Sequence, residues 1–537
     1  MKKYIVFIIA IIFITLGLGA WYISDKTVKC NNGIFIGKKA DKTNVLAFKG
    51  IPYAKKPIGD LRWKAPVEAP DSNKPYFAFK YNTIALQTIL ADAEENFKTS
   101  EDCLRLNVWT SDLKKKNKPV MVFFHGGAYG WEGITASIYD AQYLANEYKD
   151  IIVVSIDYRV NLMGFSDFSD IPGGENFKDA PYLGVLDCLM GLQWVNKNIE
   201  KFGGNPNNIT VFGESAGGGI VSILMTLQDA QGLFERVIAQ SGTLNLTSSL
   251  KDFKERGQAQ ALSDAVGAKN MDDLMKLSAE QIVDAMNKPT KNAGFEGISG
   301  VANLNNMPLR GSGSIIAEDP YKVVENGLSK NVDLMIGTNS DEFRYWVHEM
   351  QKDTLDENFE AYSLLMENKS QLPDKNLRNK YMSVITTDND KYSKKYKDIW
   401  KNTELANDLD FRIPSIKMAE SHIKANGKGK TYVYYYEKRA DINDWYGAAH
   451  AAELPYVFYN LNYKEYGNID KMLAKKISNA WVNFARTGNP STEYAQWLQY
   501  DLKDRNTMVV GNDNSMIMKK DYKGLQRQLL DGIRFIK

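Results

Sequence analysis

Apolar residues recur along this chain as short unbroken runs, separated by longer stretches with helical spacing. Val120-Met121-Val122-Phe123-Phe124, Ile151-Ile152-Val153-Val154-Ser155-Ile156, Ile209-Thr210-Val211-Phe212 and Val237-Ile238-Ala239-Gln240 have strand length and almost no polar positions. Strands apolar on both faces belong between layers of helices. Helical patterns at 183–199 and 217–227 lie between or after these runs. Later strands are expected at 333–336 and 431–436. The stretches 251–330 and 359–407 are richer in charge and helix formers, and read as helical insertions capping the sheet. The pattern predicts an α/β fold: a largely parallel central sheet flanked by helices, with helical cap insertions. No low-complexity linker, fixed-period repeat or composition break interrupts 26–537, so those residues read as one domain, although 537 residues would by length alone allow about three.

The amino terminus differs from the rest. Met1-Lys2-Lys3 precedes an almost unbroken apolar stretch over 4–23, and the first acid is Asp25. A basic start before such a run is an export signal, with the lysines left on the cytoplasmic side. Its length suits a membrane anchor, since about 20 apolar residues cross a bilayer. The denser core 5–16 followed by Gly17-Leu18-Gly19 would instead suit cleavage and secretion. The uncleaved anchor is the reading adopted, with residues 1–25 set apart and the rest of the protein outside the cytoplasmic membrane. Membrane contact is expected through this segment only.

Composition mostly excludes. Lys plus Arg is 67 against 65 for Asp plus Glu, a formal net charge of +2. So balanced a chain points to no nucleic acid or other polyanion. The three cysteines, Cys30, Cys103 and Cys188, form neither a disulfide framework nor a zinc spacing. Cys188 falls in a helical apolar pattern and reads as a small buried hydrophobe. No metal or cofactor is expected.

The chemistry centres on Gly213-Glu214-Ser215-Ala216-Gly217, which follows an expected strand and opens an expected helix. A nucleophilic serine on a tight strand-to-helix turn needs small residues two positions either side, and gains from the positive helix amino terminus. Acyl transfer also needs donors for a developing oxyanion. His125-Gly126-Gly127-Ala128 after the 120–124 strand supplies them in the required chain order, through the N–H groups of Gly126 and Gly127 with that of Ala216. Of the four histidines, His125 belongs to this loop. His422 sits on a charged helical pattern and reads as solvated, and His348 lies only six residues past the candidate acid. His450, among Gly447-Ala448-Ala449 and Ala451-Ala452, falls late in the chain as a general base should. Asp341 and Glu342 follow an apolar strand, and the residues alone do not choose between them. Tyr129, Trp131 and Trp346 are candidates for lining an apolar substrate pocket, with core packing as the alternative. Glu214 either tunes the field and holds water for deacylation or bonds Ser241.

With those residues in place, the sequence resembles the type B carboxylesterase and cholinesterase family of α/β-hydrolases, from about Gly33 to Asn514. Gly50-Ile51-Pro52-Tyr53-Ala54, Glu101-Asp102-Cys103-Leu104-Arg105-Leu106-Asn107-Val108, the Ser215 motif, Gln240-Ser241-Gly242 and Phe484-Ala485-Arg486-Thr487-Gly488-Asn489-Pro490 carry the likeness. The resemblance implies an α/β-hydrolase fold and hydrolysis of a small-molecule carboxylic ester through an acyl-enzyme on Ser215. It implies Glu342 as the acid, the second carboxylate of its pair. It implies His450, before Glu453-Leu454-Pro455-Tyr456-Val457-Phe458, as the base, and Gly126, Gly127 and Ala216 as the oxyanion hole. Three departures stand out. Phe343 replaces the glycine that usually follows the acid. Ala85-Leu86-Gln87 lacks the cysteine that would pair with Cys103, although a Cys30–Cys103 bridge is conceivable. No tryptophan occurs over 86–100, which argues against a quaternary-ammonium substrate. The family also includes adhesion proteins that have lost catalysis. They lack the serine, the histidine or the oxyanion glycines, all of which are present here.

Overall fold

The computed structural model describes residues 25–81, 83–88, 98–288, 306–349, 363, 365–385, 397–442 and 446–535. The apolar run 4–23 and most of the 86–100 stretch lie outside them. Among the described residues no helix is long and apolar enough to cross a membrane.

Among the described residues, eleven strands form the central sheet. In chain order they are β1 (Lys38–Lys39), β2 (Leu46–Pro52), β3 (Arg105–Thr110), β4 (Lys118–Phe124), β5 (Ile152–Ile156), β6 (Gly204–Glu214), β7 (Arg236–Gln240), β8 (Asp333–Asn339), β9 (Thr431–Tyr436), β10 (Thr507–Val510) and β11 (Met516–Lys519). Their spatial order is β11-β10-β9-β8-β7-β6-β4-β5-β3-β2-β1. The seven strands from β5 to β10 in that order run parallel, and antiparallel strands close both ends. This is the α/β-hydrolase architecture, with a mostly parallel sheet flanked by helices.

The apolar runs have two polar-free faces because each face meets its own core. Val120, Val122 and Phe124 of β4 point into a cluster with Cys188, Leu192 and Ile220. Met121 and Phe123 point the other way, toward Phe212, Phe458 and Trp481. Helix α1 (Leu183–Asn198) and helix α2 (Ala216–Leu224) supply residues to the first cluster, and the helix Lys471–Thr487 to the second. The charged stretches form short helices, among them Leu250–Arg256, Gln258–Val266, Ala279–Met286, Lys375–Val384 and Lys397–Asn407.

One expectation changes. His422, on the helix Ile413–Lys424, is buried at 2% exposure rather than solvated, because its ring tucks under β9 with Nδ1 2.8 Å from Thr431 Oγ1. The ring loses water there, and burial lowers its pKa. Cys30 and Cys103 are both free and buried, so no bridge joins them, and Cys188 lies buried in α1 as expected.

Candidate active site

Strand β6 ends at Glu214 and α2 begins at Ala216, leaving Ser215 alone at the turn with φ 56° and ψ −122°. An L-residue held there carries strain on the order of 1–3 kcal/mol, sustained only by its surroundings. Two bonds hold it: Ser215 N–H donates to Gln240 O at 2.8 Å, and Gly219 N–H donates to Ser215 O at 2.9 Å. The small flanking residues are required by contact. A Cβ on Gly217 would lie 2.0 Å from Phe124 O.

His450 sits in the 447–452 loop opposite this turn. Its Nδ1 is 2.6 Å from Glu342 Oε2, and its backbone N–H donates to Glu342 O at 3.2 Å. The other carboxylate oxygen, Glu342 Oε1, accepts from Ser241 Oγ at 2.7 Å and from Asn339 N–H at 2.7 Å. Asp341 points elsewhere: it pairs with Arg344 at 2.9 Å and accepts from Ala448 N–H at 2.9 Å. Burial pushes its carboxyl up, but Arg344 and these hydrogen bonds hold it below the usual carboxylate range. Geometry thus separates two adjacent carboxylates between which only the family resemblance had chosen. Ser241 donates to Glu342, so of the two alternatives for Glu214 the bond to Ser241 is not made. Glu214 Oε1 instead lies 3.1 Å from His450 Nε2.

The 125–129 loop lies against the serine. A Cβ on Gly126 would fall 3.2 Å from Ser215 Cβ and 2.9 Å from Glu214 Oε2. Gly127, Ala128 and Tyr129 all have positive φ, and Gly127 O accepts from Gly130 N–H and Trp131 N–H. His125 underpins the loop. Its Nδ1 is 3.0 Å from Gly126 O, its Nε2 is 3.4 Å from Asp157 Oδ1, and its ring stacks on Tyr158 at 4.3 Å. A carbonyl only accepts, so Nδ1 carries the hydrogen. Asp157 Oδ1 also accepts from Ile134 N–H at 3.2 Å. Fixing the Gly126 carbonyl fixes the same peptide plane's Gly127 N–H in the opposite direction.

The Carboxylesterase family model matches residues 24–529 of this sequence. The chain belongs to the carboxylesterase family. It is 32% identical over 506 residues to para-nitrobenzyl esterase of Bacillus subtilis (strain 168), covering 92% of this chain and 96% of that one. It is 27% identical to cholinesterase of Mus musculus, covering 89% of this chain and 81% of that one. To pyrethroid hydrolase Ces2e of Rattus norvegicus it is 32% identical, covering 86% and 81%. A solved PNB esterase superposes with a TM-score of 0.75 at 29% identity, covering 94% of this chain and 100% of that one. The protein is a carboxylic-ester hydrolase.

In this carboxylesterase the charges around His450 oppose its burial. Burial lowers the imidazole's pKa, but the Glu214 and Glu342 carboxyls outweigh it and push His450 up to about 9. Glu214 is itself pushed well up, by burial first and then by Glu453, Glu342 and Glu132, with His450 pulling it down. Aromatic rings complete the setting. Trp346 stacks on His450 at 5.4 Å, Phe411 lies at 5.2 Å and Tyr345 at 6.1 Å. Phe343, in place of the usual glycine, is buried with its N–H on Asn407 Oδ1 at 3.0 Å. Its ring props Trp346 and Phe411 at 5.1 and 5.4 Å.

Among the other sequence candidates, Trp131 is half-buried. Tyr129 takes the core alternative: it is 1% exposed, packed edge-on to Phe165 at 5.2 Å. His348 lies on the helix Arg344–Glu349. Sequence reasoning missed Glu453, which accepts from Gln240 Nε2 at 2.8 Å and Asn339 Nδ2 at 2.7 Å and so ties the histidine loop to β7 and β8. It also missed Asp157 and Phe411. Glu453 stood in a quoted motif three residues after His450, whereas nothing local marks the other two. Among the described residues no cluster of three or more His, Cys, Asp or Glu is arranged to hold a metal.

Proposed function

We propose that Ser215 is the nucleophile, His450 the general base and Glu342 the acid that orients it. The observation carrying this reading is the 2.6 Å pair between His450 Nδ1 and Glu342 Oε2, set beside a serine on a strained strand-to-helix turn. Glu342 accepts from Nδ1–H, which fixes the tautomer and leaves Nε2 to take the serine proton. Ser215 Oγ attacks the ester carbonyl, and the oxygen of the tetrahedral intermediate is met by the N–H groups of Gly126, Gly127 and Ala216. His450 returns the proton to the leaving alcohol. Water, activated by the same imidazole, then releases the acid from the acyl-enzyme. Each oxyanion donor lowers the barrier by about 3 kcal/mol. Trp346, beside the base, and Trp131, beside the oxyanion loop, are assigned to contact the substrate. For the cell, the reading is export through residues 1–25, with the run 4–23 retained as an anchor and the enzyme outside the cytoplasmic membrane.

Hydrolysis of a series of 4-nitrophenyl esters tests the chemistry. Ser215→Ala is expected to lower kcat by at least about 10⁴-fold with its melting temperature retained. Equal turnover in the folded mutant contradicts the assignment.

A further inference from the structure

Charge is distributed unevenly along this chain. Residues 25–80 hold twelve Lys and Arg against five Asp and Glu, a formal +7 in a chain whose total is +2. The same segment builds a small sheet apart from the central one. Thr27–Cys30 pairs antiparallel with Gly33–Ile36, which pairs parallel with Pro75–Phe77. The register sets Lys29, Ile34 and Pro75 side by side, and likewise Thr27, Ile36 and Phe77. Side chains alternate along a strand, so these six share one face. On the opposite face Val28, Cys30 and Phe35 are buried. The outward face carries Phe77 at 62% exposure, and Phe79 beside it is 36% exposed, with ring centroids 5.3 Å apart. Lys29, exposed, lies on this face, and Lys74 and Lys80, also exposed, come within three residues of the aromatic pair along the chain.

Single exposed apolar residues need no explanation. An exposed, touching aromatic pair in a lysine-rich segment is different, since rings settle at the headgroup level while lysines meet lipid phosphates. Position adds a second reason. The apolar run ends at Ile23 and the sheet begins at Thr27, with three residues between, so four Cα-to-Cα steps span at most about 14 Å. We propose that this face docks on an anionic phospholipid bilayer and sets the orientation of the enzyme against the membrane. Which membrane it meets rests on the export reading above; the docking chemistry does not.

The test is made without the apolar run, so that the two readings fail separately. The family match starts at residue 24, and a solved PNB esterase is covered in full by 94% of this chain. Every strand and helix of the described residues also lies after residue 26, so protein beginning at residue 25 is the sample. It is floated with vesicles of phosphatidylcholine alone and of equal parts phosphatidylcholine and phosphatidylglycerol. Flotation is expected with the anionic vesicles only, and release in about 0.5 M salt. Lys29→Glu with Lys74→Glu and Lys80→Glu should weaken binding on the order of 100-fold. Phe77→Ser with Phe79→Ser should weaken it at least about tenfold. Undiminished ester hydrolysis in every variant certifies its fold. No flotation, equal flotation on both vesicle types, or variants that float like the parent would overturn the proposal. So would a concentration-dependent dimer lost with the two phenylalanines and unaffected by vesicles.

Discussion

Glu214 Oε1 lies 3.1 Å from His450 Nε2, close enough to favour the protonated imidazole, which must lose its proton before it can act as the proposed base. His450 is pushed up to about 9 by the two carboxyls against its burial, so the imidazole proposed as the base is protonated below that pH. The pH profile of kcat/KM should therefore climb through neutrality and level off above about 9, well above the ordinary histidine range near 6.5. The sign for stability follows. A raised folded pKa stabilises fully below the unfolded value, and that contribution fades as pH rises from about 6.5 to about 9. Glu214→Gln removes one carboxyl and should move the kinetic limb to lower pH. A limb that stays put or moves up contradicts this electrostatic account. His125 offers a parallel case. An asparagine in place of Asp157 could still donate to Nε2 and keep the Nδ1 hydrogen on Gly126 O, whereas a valine could not. Asp157→Asn should stay within about threefold of the parent, while Asp157→Val loses about 10²–10³-fold in kcat with KM little changed, the loss typical of one oxyanion donor. Equal losses in both variants argue against a tautomer held by residue 157.

At the scale of elements, the elbow between β6 and α2 shows what sequence could reach. Gly213, Ser215 and Gly217 are read directly, because one turn geometry demands them and the demand is local. A Cβ at Gly217 would meet Phe124 O at 2.0 Å, a backbone atom that cannot swing away. Gly217→Ala should cost about 1–3 kcal/mol as a drop in melting temperature, and at least about 100-fold in kcat/KM because the serine is displaced. A variant with normal kinetics would mean the elbow tolerates the shift. The strands were legible for the same local reason, since β4 through β9 are apolar on both faces. What failed were partners set by distant packing. His422 reads as solvated from its charged neighbours, but β9 passes over it. Glu214 was weighed as a partner of Ser241, yet that hydroxyl lies across the sheet edge on Glu342. Asp341 and Glu342 are told apart in the sequence only by the family resemblance; in the fold the strand end turns one toward Arg344 and the other toward His450.

Across the whole molecule, the two cores on either face of an eleven-stranded sheet hold the site rather than cross-links. Cys30, Cys103 and Cys188 are all buried thiols, each raised by burial, Cys30 to about 12. Neutral buried thiols react slowly. A disulfide-exchange reagent should label none of them in the native protein within minutes, and all three after denaturation without reductant. Fewer than three would reveal a bridge. The family likeness, read from motifs spread between Gly50 and Pro490, is matched by a family model over 24–529. Motifs that far apart are brought to one sheet edge only by the fold, which is why their order along the chain carried the information.

The most direct measurement of the central claim is the mass of the protein and of its peptides after brief exposure to diethyl 4-nitrophenyl phosphate, which phosphorylates an activated serine. One diethylphosphoryl group on the peptide containing Ser215, absent from folded His450→Ala, is the predicted result. A folded parent that takes no label, or takes it on another residue, would contradict the assignment of Ser215 as the nucleophile.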